Sequence, residues 1–173
     1  MATRLGDPTA RLLGRLTLNP LAHLDLTGTI VFALTQRIGW AKPVPVDVRY
    51  LRHPRRDMMW IAFAGPVSNV ILAFVFGMVL RLAAPIPAQS VSTALLLYMV
   101  EGSVLVNLGL AAFNLIPIFP LDGSRILTGL LSPAWAERYS RFEVAGPYLL
   151  LGIIVLGMAT GFNLFGYVIS PVV

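Results

Sequence analysis

From Met58 to Leu80 the chain runs 23 residues, MMWIAFAGPVSNVILAFVFGMVL, without a charged side chain. A helix needs about 20 mostly apolar residues to cross the hydrocarbon core of a bilayer, because each residue advances it by only about 1.5 Å. This stretch therefore predicts a transmembrane helix, and a chain that carries one must satisfy its backbone within helices wherever it meets lipid. Two further stretches follow. Gly102–Leu121 is uncharged, and with the apolar VSTALLLYMV before Glu101 it predicts a second span over roughly 92–118. Val144–Val173 has no charge at all and predicts a third over roughly 145–168. The composition agrees: 57% of the 173 residues are apolar, 12% are charged, and the mean hydropathy is +0.78. Soluble domains of this length are richer in charge.

Leu26–Thr35, LTGTIVFALT, is apolar but too short to cross; Asp25 opens it and Gln36 and Arg37 close it. Its length predicts a re-entrant or interfacial segment, with a buried piece of a cytoplasmic flap as the alternative. Lys and Arg set the topology. Nine of the 13 lie in residues 1–57, Arg81 is alone in the 81–90 link, and Arg125, Arg138 and Arg141 follow the second span. If the Leu26–Thr35 region does not cross, twelve of the 13 share one side, which the positive-inside rule makes cytoplasmic. The basic face, and the net charge of +5, are read as topology and lipid-headgroup contact rather than nucleic-acid binding.

Residues 9–20 predict a short strand or two. The alternating prolines of 40–51 predict extended backbone, so the two could form a small cytoplasmic β element. SPAWAERYSRFE, 132–143, predicts a short interfacial helix with Ser132 as N-cap and Pro133 at its first position. The expected fold class is an all-α polytopic membrane protein forming one domain over 1–173. It has about three full spans, the re-entrant or interfacial segment and the small β element. No cysteine is present, which excludes disulfides, thiolate metal sites and cysteine nucleophiles. The N-terminus lacks the apolar core of a cleavable signal peptide.

The chemistry concentrates in FNLIPIFPLDGSRIL, Phe113–Leu127. Pro117 and Pro120 each remove a backbone donor and break a continuous helix. Gly123 permits a turn or a close approach. Asp122 is an ionisable group at the end of a span, a costly placement that usually marks function. Two readings stand side by side: a carboxylate aimed into a polar pocket by a broken helix, or a cap for a helix starting at Ser124–Arg125. Within the first span, Pro66 kinks the helix, Gly65 admits a neighbour, and Asn69 needs a polar partner. Asn107 and Asn114, seven residues apart, share a face of the second span. For the three asparagines, interhelical hydrogen bonding is the plainer alternative to a pocket wall. Glu101 is expected near the outer end of its span, at the interface and far from Asp122. His53, among arginines, is expected at the surface. His23, two residues from Asp25, is expected in a structural hydrogen bond rather than on a metal. No HExxH, Ser/His/Asp arrangement or glycine-rich phosphate loop occurs.

FNLIPIFPLDG resembles the Asn-x-x-Pro-x-x-Pro-Leu-Asp-Gly signature of site-2 proteases, the zinc intramembrane metalloproteases. AGPVSN resembles their Gly-Pro-x-x-Asn motif. RLGDPTARLLGRLTLNPLAHLD and GWAKPVPV resemble the cytoplasmic segment of small prokaryotic members. The resemblance covers Arg4 to about Arg141 and implies an activity, zinc-dependent cleavage of a membrane-embedded peptide in the cell membrane. It implies that Asp122 is a zinc ligand, with Asn69 and Asn114 lining the pocket and Gly65, Pro66, Pro117, Pro120 and Gly123 shaping it. It further implies two zinc-binding histidines and a general-base glutamate on an HExxH helix. These 173 residues contain no such helix, so no catalytic residue can be assigned within them, and zinc on a single carboxylate would be weakly held. The expectation is that HExxH lies upstream of the codon for Met1, where an in-frame apolar stretch should encode it. A non-catalytic membrane scaffold is the alternative, and a transporter using Asp122 as an ion or proton site is a third.

Overall fold

A computed structural model describes residues 1–17, 19–35, 42, 44–83 and 90–160. The chain groups into two compact units, Met1–Asp57 and Met58–Val173.

The first unit is built from short pieces tied by side chains. A 3-10 turn, Ala2–Leu5, ends at Gly6, whose φ of 109° suits glycine. Helix α1, Thr9–Leu12, is a single turn. Helix α2, Leu26–Thr35, has ten residues, about 15 Å of rise, so it is too short to span a bilayer, as expected. Asp25 accepts from the Gly28 amide at 2.8 Å and caps it. A second 3-10 turn, Val48–Tyr50, is capped by Asp47, which accepts from the Arg49 amide.

The tie that closes this unit is Asp7, which is fully buried. One oxygen accepts from the Thr9 amide at 2.9 Å and from the Thr9 hydroxyl; the other accepts from the Asp47 amide at 3.0 Å, 40 residues away. The expected strands are absent among the described residues, and Thr9–Leu12 is helical instead. The cause is local: Asp7 and Thr9 satisfy each other next to Pro8, which starts a helical turn. Residues 44–47 have no regular structure; positions 40, 41 and 43 of the expected extended segment lie outside the described residues.

The second unit holds the long helices. Helix α3, Pro54–Ala83, begins at the end of the first unit and contains the uncharged 58–80 run; at 30 residues it rises about 45 Å. Helix α4, Val91–Asn114, starts at Ser90, whose hydroxyl accepts from the Thr93 amide. Both are long and apolar enough to cross a membrane. Their large side chains, Ile71, Phe74, Leu96 and Val106 among them, point outward, while Ala62, Ala73, Gly109 and Ala111 are buried. Small residues inside and large apolar ones outside suit helices in lipid, where close approach rather than water exclusion drives packing.

Helix α5, Asp122–Leu130, follows a seven-residue break. Helix α6, Pro133–Ser140, has Pro133 at its start as expected, but the Ser132 side chain makes no capping bond. A 3-10 turn, Arg141–Glu143, leads into α7, Gly146–Thr160. The pair formed by Pro133–Glu143 and Gly146–Gly157 bends by 59°, and only if counted as one span would it be a third. Residues 161–168 of the expected third span lie outside the described residues.

Glu101 is exposed on α4, ten residues from Val91 and so about 15 Å along the helix; α4 itself stops at Asn114, four residues short of the expected end.

Candidate functional site

The break between α4 and α5 is where the proline-rich signature lies. Helix α4 ends because the chain meets Pro117 and Pro120, neither of which can donate. The freed backbone is satisfied locally. The Leu115 amide donates to Ala111 and Ala112, Ile118 to Ile116 at 2.8 Å, and Leu121 to Ile118 at 2.9 Å. Leu121 then accepts from both the amide and the hydroxyl of Ser124, a fully buried side chain. A stitched turn of this kind is how irregular backbone persists beside a membrane helix.

The first helical residue is Asp122, with Leu121 in the cap position. The capping alternative placed the helix start two residues later; instead the carboxylate stands in the first turn, where the helix dipole favours negative charge. Gly123 is buried behind it. A Cβ there would overlap the Leu115 carbonyl oxygen and lie 2.5 Å from that of Ile116. Only glycine lets α5 begin against the end of α4.

Gly65 faces the carboxylate. A Cβ on Gly65 would lie 2.8 Å from Asp122 Oδ2. Pro66, beside it, is fully buried. Asn69 follows one helical turn later, on the Gly65 side of α3. At the far end of α5, a Cβ on Gly129 would lie 2.5 Å from the Met59 Cβ. Residue 122 thus meets 65 and residue 129 meets 59, so α5 runs antiparallel to this part of α3, touching it at glycines. Gly-Pro-x-x-Asn and Leu-Asp-Gly, 57 positions apart from Gly65 to Asp122, are brought together at those two residues.

The asparagines of α4 are used within their own helix. Asn107 donates to the Ser103 carbonyl at 2.8 Å, and Asn114, the last residue of α4, donates to Leu110 at 2.9 Å. Asn114 therefore sits at the lip of the break. Of the histidines, His23 Nε2 donates to the Thr17 carbonyl at 3.1 Å, the structural bond expected, and Asp25 is occupied in capping α2. His53 is exposed, as expected, with its backbone amide donating to Asp57 at 2.9 Å.

Among the described residues no three His, Cys, Asp or Glu side chains converge as a metal-binding group. A catalytic zinc takes three protein ligands, and the described residues bring no such set together, so they do not fit a zinc ion by themselves.

Sequence reasoning missed three residues. Tyr139 on α6 donates its hydroxyl to the Pro117 carbonyl at 2.7 Å. Its ring lies 5.2 Å from that of Phe119, which is buried. Gly146, at the start of α7, packs on Phe119; a Cβ there would lie 2.6 Å from the Phe119 carbonyl oxygen. The GP pair at 146–147 was a turn signal, but nothing local points Tyr139 at a loop 22 residues earlier.

Comparison with known proteins bears on the same residues. Residues 82–159 match peptidase family M50. The Bacillus subtilis protein named "Putative zinc metalloprotease YwhC" is 40% identical over 161 residues, covering 91% of this chain and 73% of that protein. "Zinc metalloprotease MJ0392" of Methanocaldococcus jannaschii is 38% identical over 103 residues, 60% of this chain but 28% of its own length. No solved structure matches the chain.

Proposed function

The chain belongs to peptidase family M50, the site-2 protease family, and from that premise we propose that it is the membrane domain of a zinc metalloprotease cleaving membrane-embedded peptides. The observation that carries the proposal is the contact of Gly65 with Asp122. It joins the two signature motifs around one carboxylate at the end of a broken helix. In this reading residues 1–173 act as one domain. Asp122 is a metal ligand, Asn69 and Asn114 hold the substrate backbone, and Gly65, Pro66, Pro117, Pro120 and Gly123 shape the pocket. Hydrolysis would require two further zinc ligands and a base from an HExxH segment, which these 173 residues do not contain. On their own they are inactive and bind zinc weakly.

The domain is a multi-pass protein of the cell membrane, with the basic face of residues 1–57 on the cytoplasmic side. Its α2 dips into the membrane without crossing, and 145–168 forms the third span. Its partners are lipid and a helical peptide substrate. The alternative is a membrane scaffold without catalysis. Reconstitution separates the two. The natural full-length protein should cleave a helix-destabilised membrane peptide, lose activity to a zinc chelator and regain it on adding zinc. Capture of a membrane partner unaffected by chelator, with no cleavage, would instead establish the scaffold.

A further inference from the structure

Within the signature, Gly123 and the Ser124–Leu121 bonds fix the ends of the loop before Asp122, but not its middle, Pro117–Phe119. Its own hydrogen bonds are short-range, and one flank is poorly packed. A half-open groove of about 240 Å³ runs along Pro117, Ile118 and Phe119, with Tyr139, Phe142, Ala145, Gly146 and Leu149 across from them. Close packing normally fixes a loop to within a fraction of an ångström, and here that support is incomplete. What remains is a contact set from the α6–α7 corner. The Tyr139 hydroxyl holds the Pro117 carbonyl, and its ring lies against Phe119 at a tilt of 34°. The backbone of Gly146 closes on Phe119 from the next helix. The corner is itself tied to α5 through Arg125 and Glu143, 3.4 Å apart. That pair is exposed and weak, so Tyr139 and Gly146 bear most of the constraint.

We propose that Tyr139 is a positioning residue for Asp122. With Gly146 it clamps Pro117–Phe119, and so fixes where the carboxylate stands against Gly65. The consequence for catalysis rests on the reading of Asp122 given above, but the clamp itself does not. A misplacement of about 1 Å in a reacting group can cost roughly a hundredfold in rate, so a residue remote from the chemistry can govern it.

These 173 residues contain no cysteine, and any cysteine in the rest of the full-length protein is first replaced by serine. In the full-length protein in lipid nanodiscs, Asp122→Cys reports on the clamped position and Ser103→Cys, on α4, serves as control. Maleimide labelling at 122 should quicken about fivefold on Tyr139→Phe, which removes one hydrogen bond and keeps the ring. Tyr139→Leu, which loses both, should quicken it further, and Gly146→Ala should also raise it. The rate at 103 should stay unchanged. An unchanged rate at 122 in all three backgrounds, or an equal rise at both positions, would overturn the clamp. In the protein with Asp122 intact, Tyr139→Phe should lower kcat about tenfold and leave KM in place. Equal kcat in a protein that does require Asp122 would overturn the catalytic consequence alone. Cleavage that survives Asp122→Asn would instead remove the underlying functional reading, with the labelling ratio still deciding the clamp.

Discussion

Two glycines at the site meet opposite kinds of neighbour, so the same substitution should have opposite consequences. At Gly123 a methyl group would strike the carbonyl oxygens of Leu115 and Ile116, which are backbone and cannot yield without shifting the end of α4. Gly123→Ala should therefore destabilise the protein by about 3 kcal/mol, the upper range for forced overpacking, seen as a fall in the midpoint of thermal unfolding. At Gly65 the methyl would meet only Oδ2 of Asp122, the end of a side chain that can rotate away. Gly65→Ala should leave the unfolding midpoint within about 2 °C, as for changes worth under 0.5 kcal/mol, while cutting cleavage and zinc retention. The sequence singled out both glycines, since each lies in a motif beside a proline or an acid. It could not show that they differ, because the difference lies in which atom of a distant element each one touches. Tyr139 was illegible for the same reason: an aromatic on a short amphipathic helix carries no mark of the loop it holds.

The helices were legible in proportion to how much of their cause is local. Length and absence of charge predicted α3 and the body of α4, and a bilayer imposes both requirements on any span. The end of α4 was misjudged by four residues because Pro117 stops the helix before itself, through its effect on preceding backbone. In the first unit, residues 9–20 read as a short strand or two, whereas Asp7 and Thr9 decide the conformation of α1 through side-chain bonds. Those bonds have a pH signature. The Thr9 hydroxyl and amide, with the Asp47 amide, hold the Asp7 carboxyl below its usual 3.8, and the paired Arg49 lowers Asp47 to about 2. Both carboxyls are more acidic folded than unfolded, so their stabilisation is complete above about pH 4 and disappears as pH falls toward 2. The amide resonances of Thr9 and Asp47 should thus stay fixed from pH 7 to 5 and shift together only below about pH 4. Asp7→Asn should speed hydrogen exchange at both amides at neutral pH; unchanged exchange would show that Asp7 does not tie residue 47 to the N-terminus.

For the whole molecule, topology and activity are the two questions the architecture poses. Arg49 and Arg52 precede α3 and Ser90 precedes α4. If α3 crosses the bilayer, Arg52→Cys and Ser90→Cys should label from opposite sides with an impermeant thiol reagent, the first from the cytoplasm. Labelling of both from one side would mean that α3 does not span. Charge bias predicts this orientation from sequence, whereas the number of spans depends on whether the α6–α7 pair, bent by 59°, counts as one. The activity rests on one carboxylate. The most direct measurement is zinc content and peptide cleavage of the purified full-length protein with Asp122 replaced by Asn, beside the unaltered protein. Loss of the bound zinc together with cleavage, with the unfolding midpoint retained, is the predicted result; an Asp122→Asn protein that keeps its zinc and cleaves at the original rate would contradict the assignment.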